Sequence, residues 1–140
     1  MKSEILYTLD QLPQVAQELA GDLKGYRIIT LTGDLGAGKT TLVKRLLREW
    51  GIKDEILSPT FTYVNCYKND AGGKIFHFDL YRIANLDQFL ELGFDEYLSE
   101  PNSICLIEWP QVIEPILDGQ VCRLEIMHIS DSQRKLIIKK

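Results

Sequence analysis

Residues 33–41, "GDLGAGKTT", set four residues between Gly33 and Gly38 and follow the second glycine with Lys39 and Thr40. This is the Gly-x4-Gly-Lys-Thr spacing of a phosphate-binding loop. Glycine lets the backbone pass where a side chain would clash, so successive N–H groups can aim at one anion. A helix starting at the loop adds its positive amino-terminal end. Lys39 would reach the β- and γ-phosphates, and the Thr40 hydroxyl would ligate Mg²⁺. Gly33, Asp34, Leu35, Gly36, Ala37, Gly38 and Thr41 complete the candidate nucleotide-binding set. With glycine at ~7% of residues, chance produces such a match about once in 200 chains of this length. The flanks fit as well: "RIITLT" reads as a strand before the loop, and "LVKRLLREW" as a helix after it.

A phosphate loop alone hydrolyses nothing. Phosphoryl transfer also needs a second Mg²⁺ anchor and a group that orients the nucleophile. The anchor belongs at the carboxyl end of a buried strand, where ligands sit in open α/β sheets. Glu108 directly follows "ICLI" and meets that description. In "IFHFDLYR", strand alternation puts Ile75, His77, Asp79 and Tyr81 on one face. The Asp79 carboxylate could hold Mg²⁺ through water or orient the attacking water. His77, beside aromatics, reads equally as a hydrogen-bonded structural residue. In "SPTF", Thr60 could offer its hydroxyl or carbonyl to Mg²⁺ or phosphate; a plain Ser-Pro turn entering a strand is the competing reading, which the residues alone favour. Lys39, Asp79 and Glu108 are thus the candidate catalytic residues, with Thr40 and Glu108 the candidate metal ligands.

The rest of the chain must position these groups. "SEILYTL" reads as a strand, then Asp10 as the N-cap of a helix with Pro13 in its first turn. Leu12, Val15, Ala16, Leu19, Ala20 and Leu23 recur at helical spacing, and Gly25 ends that unit. After the loop a helix is expected from Lys39 to Trp50, burying Leu42, Val43, Leu46, Leu47 and Trp50, with Gly51 at its C-cap. "SPTFTYVNCY" and "GKIFHFDLY" read as two strands joined by the turn "KNDAGG". "LDQFLELG" and "FDEYLSE" are helical, "SICLIEWP" is a continuous apolar strand, and "QVIEPIL" is a short helix. "QVCRLEIMHI" and "QRKLIIKK" are terminal strands. The alternation predicts one α/β domain over residues 1–140, layered around a central sheet.

Composition narrows the partners. The 140 residues are 45% hydrophobic and 26% charged, with a net charge of −4. A broad nucleic-acid footprint is not expected on such a surface. Lys44, Arg45 and Arg48 share the outer face of the second helix, a solvated surface or a docking patch for RNA or an acidic partner. Cys66, Cys105 and Cys122 show no metal-ligand spacing and are expected as reduced thiols, with Cys105 in the core. The amino terminus lacks a signal-peptide pattern and no stretch approaches membrane-spanning length, so a cytoplasmic location is the default expectation.

In that order, "GDLGAGKTT", "SPTFTYVNCY", "HFDLYR" and "LIEWP" resemble the TsaE (YjeE) family over nearly the whole chain. The resemblance implies a small P-loop ATPase with a partly antiparallel sheet: a mixed sheet, parallel at its core, flanked by helices and edged by antiparallel strands. It implies ATP and Mg²⁺ as cofactors and TsaB and TsaD as partners. TsaD transfers threonylcarbamoyl from its adenylate to adenosine 37 of tRNAs reading ANN codons. ATP hydrolysis would reset that complex between rounds, with tRNA met only through the complex. By the same resemblance Lys39 binds phosphate, Thr40 and Glu108 bind Mg²⁺, and Thr41 lies near the α-phosphate. Trp109 adjoins the metal position, Asp79 is the strand aspartate, Ser58–Phe61 form the switch loop, and Arg134 stands near the adenine. Slow intrinsic turnover is expected. A small-molecule P-loop kinase is the first alternative, but the arginines after Glu108 are not clustered as a phosphate lid would need. A GTPase is disfavoured by the lack of Asn-Lys-x-Asp, and a non-catalytic nucleotide-dependent docking module stays open.

Overall fold

The computed structural model describes residues 2–140. Its frame is a seven-stranded sheet. Strands β1 (Lys2–Thr8), β2 (Ile28–Thr32), β3 (Val64–Lys68), β4 (Lys74–Asp79), β5 (Ser103–Glu108), β6 (Val121–His128) and β7 (Gln133–Lys139) line up as β1-β7-β6-β2-β5-β4-β3. β6, β2, β5 and β4 run parallel. β1, β7 and β3 pair antiparallel at the two sides. The expected mixed sheet, parallel at its core, is what forms. The parallel strands are the near-continuous apolar runs, such as Ile28–Leu31 and Cys105–Ile107, because helices cover both of their faces.

On one face lie α1 (Leu12–Asp22) and α2 (Lys39–Glu49). Val15, Ala16, Leu19 and Ala20 of α1, with Leu42, Val43, Leu46 and Leu47 of α2, form the buried stripes that the spacing predicts. They close over Leu31, Leu106, Leu124 and Leu136 of the sheet. The other face carries α3 (Leu86–Glu91), α4 (Asp95–Leu98) and a 3-10 helix (Pro110–Ile116). There Phe78 is fully buried, with ring centroids 6.1 Å from Phe89, 6.1 Å from Phe94 and 5.9 Å from Tyr97. Tilted and edge-on aromatic pairs of this kind favour one packing arrangement over many.

Three expectations need correction. Asp10 is not an N-cap: it lies inside a 3-10 turn, Leu9–Gln11, whose cap is Thr8. The Thr8 N–H donates to Gln11 Oε1 at 2.9 Å, so the reciprocal cap is built one turn earlier. Trp50 is only half-buried; as the C-cap of α2 it turns its indole N–H to the Ala20 carbonyl, 3.2 Å away. Gly51 follows with φ +86, the left-handed position that suits glycine after a helix. The expected short helix at "QVIEPIL" does form, as a 3-10 helix with Pro115 inside it and removing a donor. Most consequentially, "SPTFTY" is not strand. Tyr63 takes φ 68 and donates its N–H to the Pro59 carbonyl at 2.8 Å, coiling residues 59–63 into a turn. The Tyr63 carbonyl then accepts from Asp79 N–H at 2.9 Å, so this turn seats on the end of β4 instead of extending β3.

All three cysteines are free; Cys105 and Cys122 are buried and Cys66 is exposed. Burial pushes the Cys105 thiol up to about 12 and raises Cys122 as well. A raised thiol pKa keeps the unreactive protonated form at neutral and mildly alkaline pH. At pH 8 a thiol-exchange reagent should therefore titrate one fast group, Cys66. The other two should appear only on denaturation, and three fast thiols in the folded protein would contradict this packing.

Candidate functional site

The parallel register decides where chemistry can occur. Leu31 of β2 aligns with Glu108 of β5, and Glu108 aligns with Asp79 of β4. Three strand ends therefore meet at one rim of the sheet. From Thr32 the chain passes straight into the glycine loop and then into α2. Carboxyl ends of parallel strands, next to a helix amino terminus, form the usual ligand position of such sheets.

The loop conformation follows from its glycines. Gly33 has φ +148, and a Cβ there would stand 2.5 Å from the Ile126 carbonyl oxygen. Gly38 caps α2 at φ 106, left-handed. A second tie comes from far along the chain: Arg134 donates through Nε to the Ala37 carbonyl at 3.1 Å. Its Nη1 donates to the Ser130 and Gln133 carbonyls at 2.7 and 2.9 Å.

Lys39 is 5% exposed. Its ammonium donates to the carbonyls of Gly33, at 2.5 Å, and Asp34, at 2.9 Å. It also lies 4.2 Å from the Trp109 ring centroid, a cation–π contact. Burial lowers the lysine pKa, while Glu108, Asp34 and Asp79 pull it back up. Trp109 holds this place through a left-handed backbone, φ 56, directly after Glu108. A non-glycine residue there carries strain of order 1–2 kcal/mol. The Tyr81 ring packs against it, 4.9 Å away between centroids.

Thr40 and Glu108, 68 residues apart in sequence, are joined directly. The Thr40 hydroxyl donates to Glu108 Oε1 at 2.9 Å and lies 3.2 Å from Oε2. With its hydrogen given to the carboxylate, the hydroxyl oxygen keeps lone pairs for a cation. Beneath them, His77 Nε2 meets Glu108 Oε2 at 2.5 Å, and both side chains are buried. His77 Nδ1 has no hydrogen-bond partner among the described residues. Leaving a buried polar atom unpaired costs roughly 1–3 kcal/mol. Asp79 accepts from the Tyr81 N–H at 3.0 Å and from the Thr60 hydroxyl at 3.4 Å. Ser58 Oγ stands 2.9 Å from Thr60 Oγ1.

These groups surround a hollow of about 290 Å³ lined by Leu35, Gly36, Gly38, Lys39, Thr40, Thr41, Ser58, Thr60, Asp79, Glu108 and Trp109. A smaller hollow of about 190 Å³ opens on the far side of the loop. Tyr7, Leu9, Leu12, Gly36, Ala37, Gly38, Thr41 and Arg134 line it. Thus Lys39, Thr40, Thr60, Asp79 and Glu108 share one space, while Ala37 and Arg134 share the other with Thr41 between them. Gly33 and Asp34 line neither hollow; they contribute carbonyls to the lysine. Ser58, to which its sequence surroundings give no chemistry of its own, joins the site through the Thr60 contact. Tyr7, from the first strand, had no signal in the sequence, because nothing local ties β1 to a loop thirty residues on.

Does Mg²⁺ fit the residues present? The donors turned to the hollow beside the loop are hydroxyl and carboxylate oxygens, the hard ligands this ion prefers. Mg²⁺ is ordinarily held by one or two protein oxygens together with substrate phosphates and water. Thr40 and Glu108 fit that pattern.

The sequence profile of the family described as threonylcarbamoyl adenosine biosynthesis protein TsaE matches residues 6–136. The chain belongs to the TsaE family. A TsaE relative from Aquifex aeolicus is 37% identical over 142 residues, spanning 99% of this chain and 96% of its own. One from Bacillus subtilis is 35% identical over 127 residues, 91% of this chain and 78% of its own. Each is named tRNA threonylcarbamoyladenosine biosynthesis protein TsaE. A crystal structure of YdiB from Bacillus subtilis superposes with a TM-score of 0.73 at 30% identity, over 99% of this chain and 86% of that one.

The clash at Gly33 yields a direct test of the loop geometry. Gly33→Ala should lower the midpoint of thermal unfolding by several degrees, because a Cβ cannot share space with the Ile126 carbonyl. An unchanged melting curve would show that the loop does not run against β6.

Proposed function

We propose that the protein binds ATP with Mg²⁺ at the rim of the sheet and hydrolyses it slowly. It would thereby serve threonylcarbamoylation of adenosine 37 in tRNAs reading ANN codons, acting on a TsaB–TsaD complex in the cytoplasm. Membership of the TsaE family supports the pathway. The observation that carries the chemistry is the 2.9 Å contact between Thr40 and Glu108 beside the buried Lys39. It brings the two candidate metal ligands together at the amino terminus of α2.

In this reading the loop amides and α2 hold the triphosphate, and the Lys39 ammonium leaves its loop carbonyls for the β- and γ-oxygens. Thr40 and Glu108 would hold Mg²⁺, which supplies charge neutralisation at the transferring phosphoryl group. Asp79 orients water at the mouth of the hollow, and Thr60, hydrogen-bonded to Asp79, links that water site to the Ser58–Phe61 turn. Arg134 and the second hollow receive the base side of the nucleotide. Occupancy at the γ-position would bias the turn, and hydrolysis would release it, making ATP a timer for a partner. A small-molecule kinase would need arginines free to fold over the phosphates. Arg123 is instead paired with Glu114 at 2.9 Å, and Arg134 is spent on backbone carbonyls. No helix among the described residues is long and apolar enough to cross a membrane.

Lys39→Ala should weaken ATP binding by roughly 10- to 100-fold, the range for losing one charged hydrogen-bond donor. Normal ATP affinity and turnover in that variant would refute the cradle. Glu108→Gln preserves shape and should keep ATP binding in EDTA while losing Mg²⁺-dependent hydrolysis at least about tenfold. Because Trp109 stacks on Lys39, its fluorescence should change on ATP addition in a Trp50→Phe background, where it is the remaining tryptophan. The full reading is tested by mixing the protein with TsaB and TsaD and following ATP consumption and repeated tRNA modification together. Undiminished multiple turnover without this chain would reject the accessory role.

A further inference from the structure

His77 does not line the hollow, and the function proposed above assigns it no task. Yet it is fully buried on β4, two residues before Asp79 and on the same face of the sheet. Beside it on that face Ile75 and Leu106 belong to the core beneath α2, and Asn65 is its register partner on β3. In such a layer an imidazole with one unpaired nitrogen is a poorer filler than leucine or phenylalanine. What it does provide is one short contact, from Nε2 to Oε2 of Glu108.

The two carboxylate oxygens are thereby made unequal. Oε2 is committed to His77 at 2.5 Å, with the Thr40 hydroxyl more distant at 3.2 Å. Among the described residues, Oε1 has only the Thr40 hydroxyl, at 2.9 Å. A carboxylate accepts and cannot donate, so the hydrogen of the His77 contact sits on Nε2, while Nδ1 is left without a partner among the described residues. The ring stands on a strand hydrogen-bonded to β5, with Leu106 as its register partner, so it cannot drift relative to Glu108.

We propose that His77 is a positioning residue: its buried Nε2–H holds one oxygen of Glu108 and thereby presents the other to the metal position. This rests on the ATP and Mg²⁺ reading of the site. Partners that orient a ligating carboxylate commonly govern metal affinity by about 10- to 100-fold. The role is therefore visible in the metal requirement of nucleotide binding, with no need to measure hydrolysis.

The test measures ADP affinity by titration calorimetry in EDTA and across a Mg²⁺ series, for the wild type, His77→Phe and His77→Gln. A glutamine amide can donate at about the same reach as imidazole Nε2. The Phe variant should need about 10- to 100-fold more Mg²⁺ for half-maximal enhancement of ADP affinity. The Gln variant should stay close to the wild type, and all three should bind ADP alike in EDTA. A Phe variant with the wild-type Mg²⁺ requirement would reduce His77 to core filler and overturn the proposal. So would a Gln variant as impaired as the Phe variant while still binding ADP in EDTA. Should the Phe variant not fold, imidazole ¹⁵N spectroscopy of the wild type decides. With only two histidines in the chain, His128→Gln assigns the signals. His77 should show a proton on Nε2; a proton on Nδ1 instead overturns the proposal. A wild type that binds no ADP in either condition would fail differently, by removing the nucleotide reading on which the proposal stands.

Discussion

Everything at the candidate site depends on the parallel alignment of β2, β5 and β4. Leu31, Glu108 and Asp79 lie side by side across that ladder, so three chain segments end together. Side chains alternate between faces with a period of two. A slip of one residue in β5 would turn Glu108 away from α2 and bring Ile107 or Trp109 into its place. The apolar runs hold the register because both faces of these strands are buried, with Leu106 packed toward α2 and Ile107 toward the aromatic layer. Core packing and site geometry are thus the same constraint seen from two sides of the sheet.

Around that rim the parts differ in how firmly they are held. The glycine loop is fastened at both ends: Gly33 lies against the Ile126 carbonyl, and Arg134 ties the Ala37 carbonyl to the last hairpin. α2 behind it is anchored by four buried apolar side chains. A site assembled this way has its donors aimed in advance, which is what transition-state stabilisation requires. The Ser58–Tyr63 turn is held differently. Thr60 reaches Asp79 at 3.4 Å, Phe61 is 78% exposed, and the ring of Phe61 meets the Arg82 guanidinium at 4.6 Å. Few buried contacts make a segment cheap to rearrange. In the proposed function this contrast is useful: a stiff cradle keeps the nucleotide while a lightly held turn reports its state.

The electrostatics have a similar economy. One lysine, four hydroxyl side chains and two carboxylates line a common space, with an indole stacked on the lysine. The lysine is drawn both ways, by burial and by Glu108, Asp34 and Asp79. The strained Trp109 backbone belongs to this balance, since it is what swings the indole from the strand end onto Lys39. Strain at such a position persists only where the surroundings over-determine it, here the Leu31 carbonyl at 3.4 Å from its N–H and the Tyr81 ring.

Read alone, the sequence determined whatever local physics controls. Glycine spacing set the loop, helical periodicity set the buried stripes of α1 and α2, and continuous apolar runs marked the strands buried on both faces. Glu108 was legible because it ends such a run, and the mixed sheet was legible through the family that four motifs together resemble. The tertiary structure decided what depends on neighbours remote in sequence. The Ser58–Tyr63 segment opens a run that reads as strand, but the Tyr63 N–H turns back to the Pro59 carbonyl and coils it, while the Tyr63 carbonyl takes the Asp79 N–H of remote β4. Trp50 sits on a helical stripe, but the Ala20 carbonyl draws its indole N–H to the edge of the core. His77 looks like any buried histidine until β4 and β5 lie in register and its Nε2 meets Glu108. Local periodicity encodes which face is buried; it holds no information about which polar atoms, tens of residues apart, will need one another once water is gone.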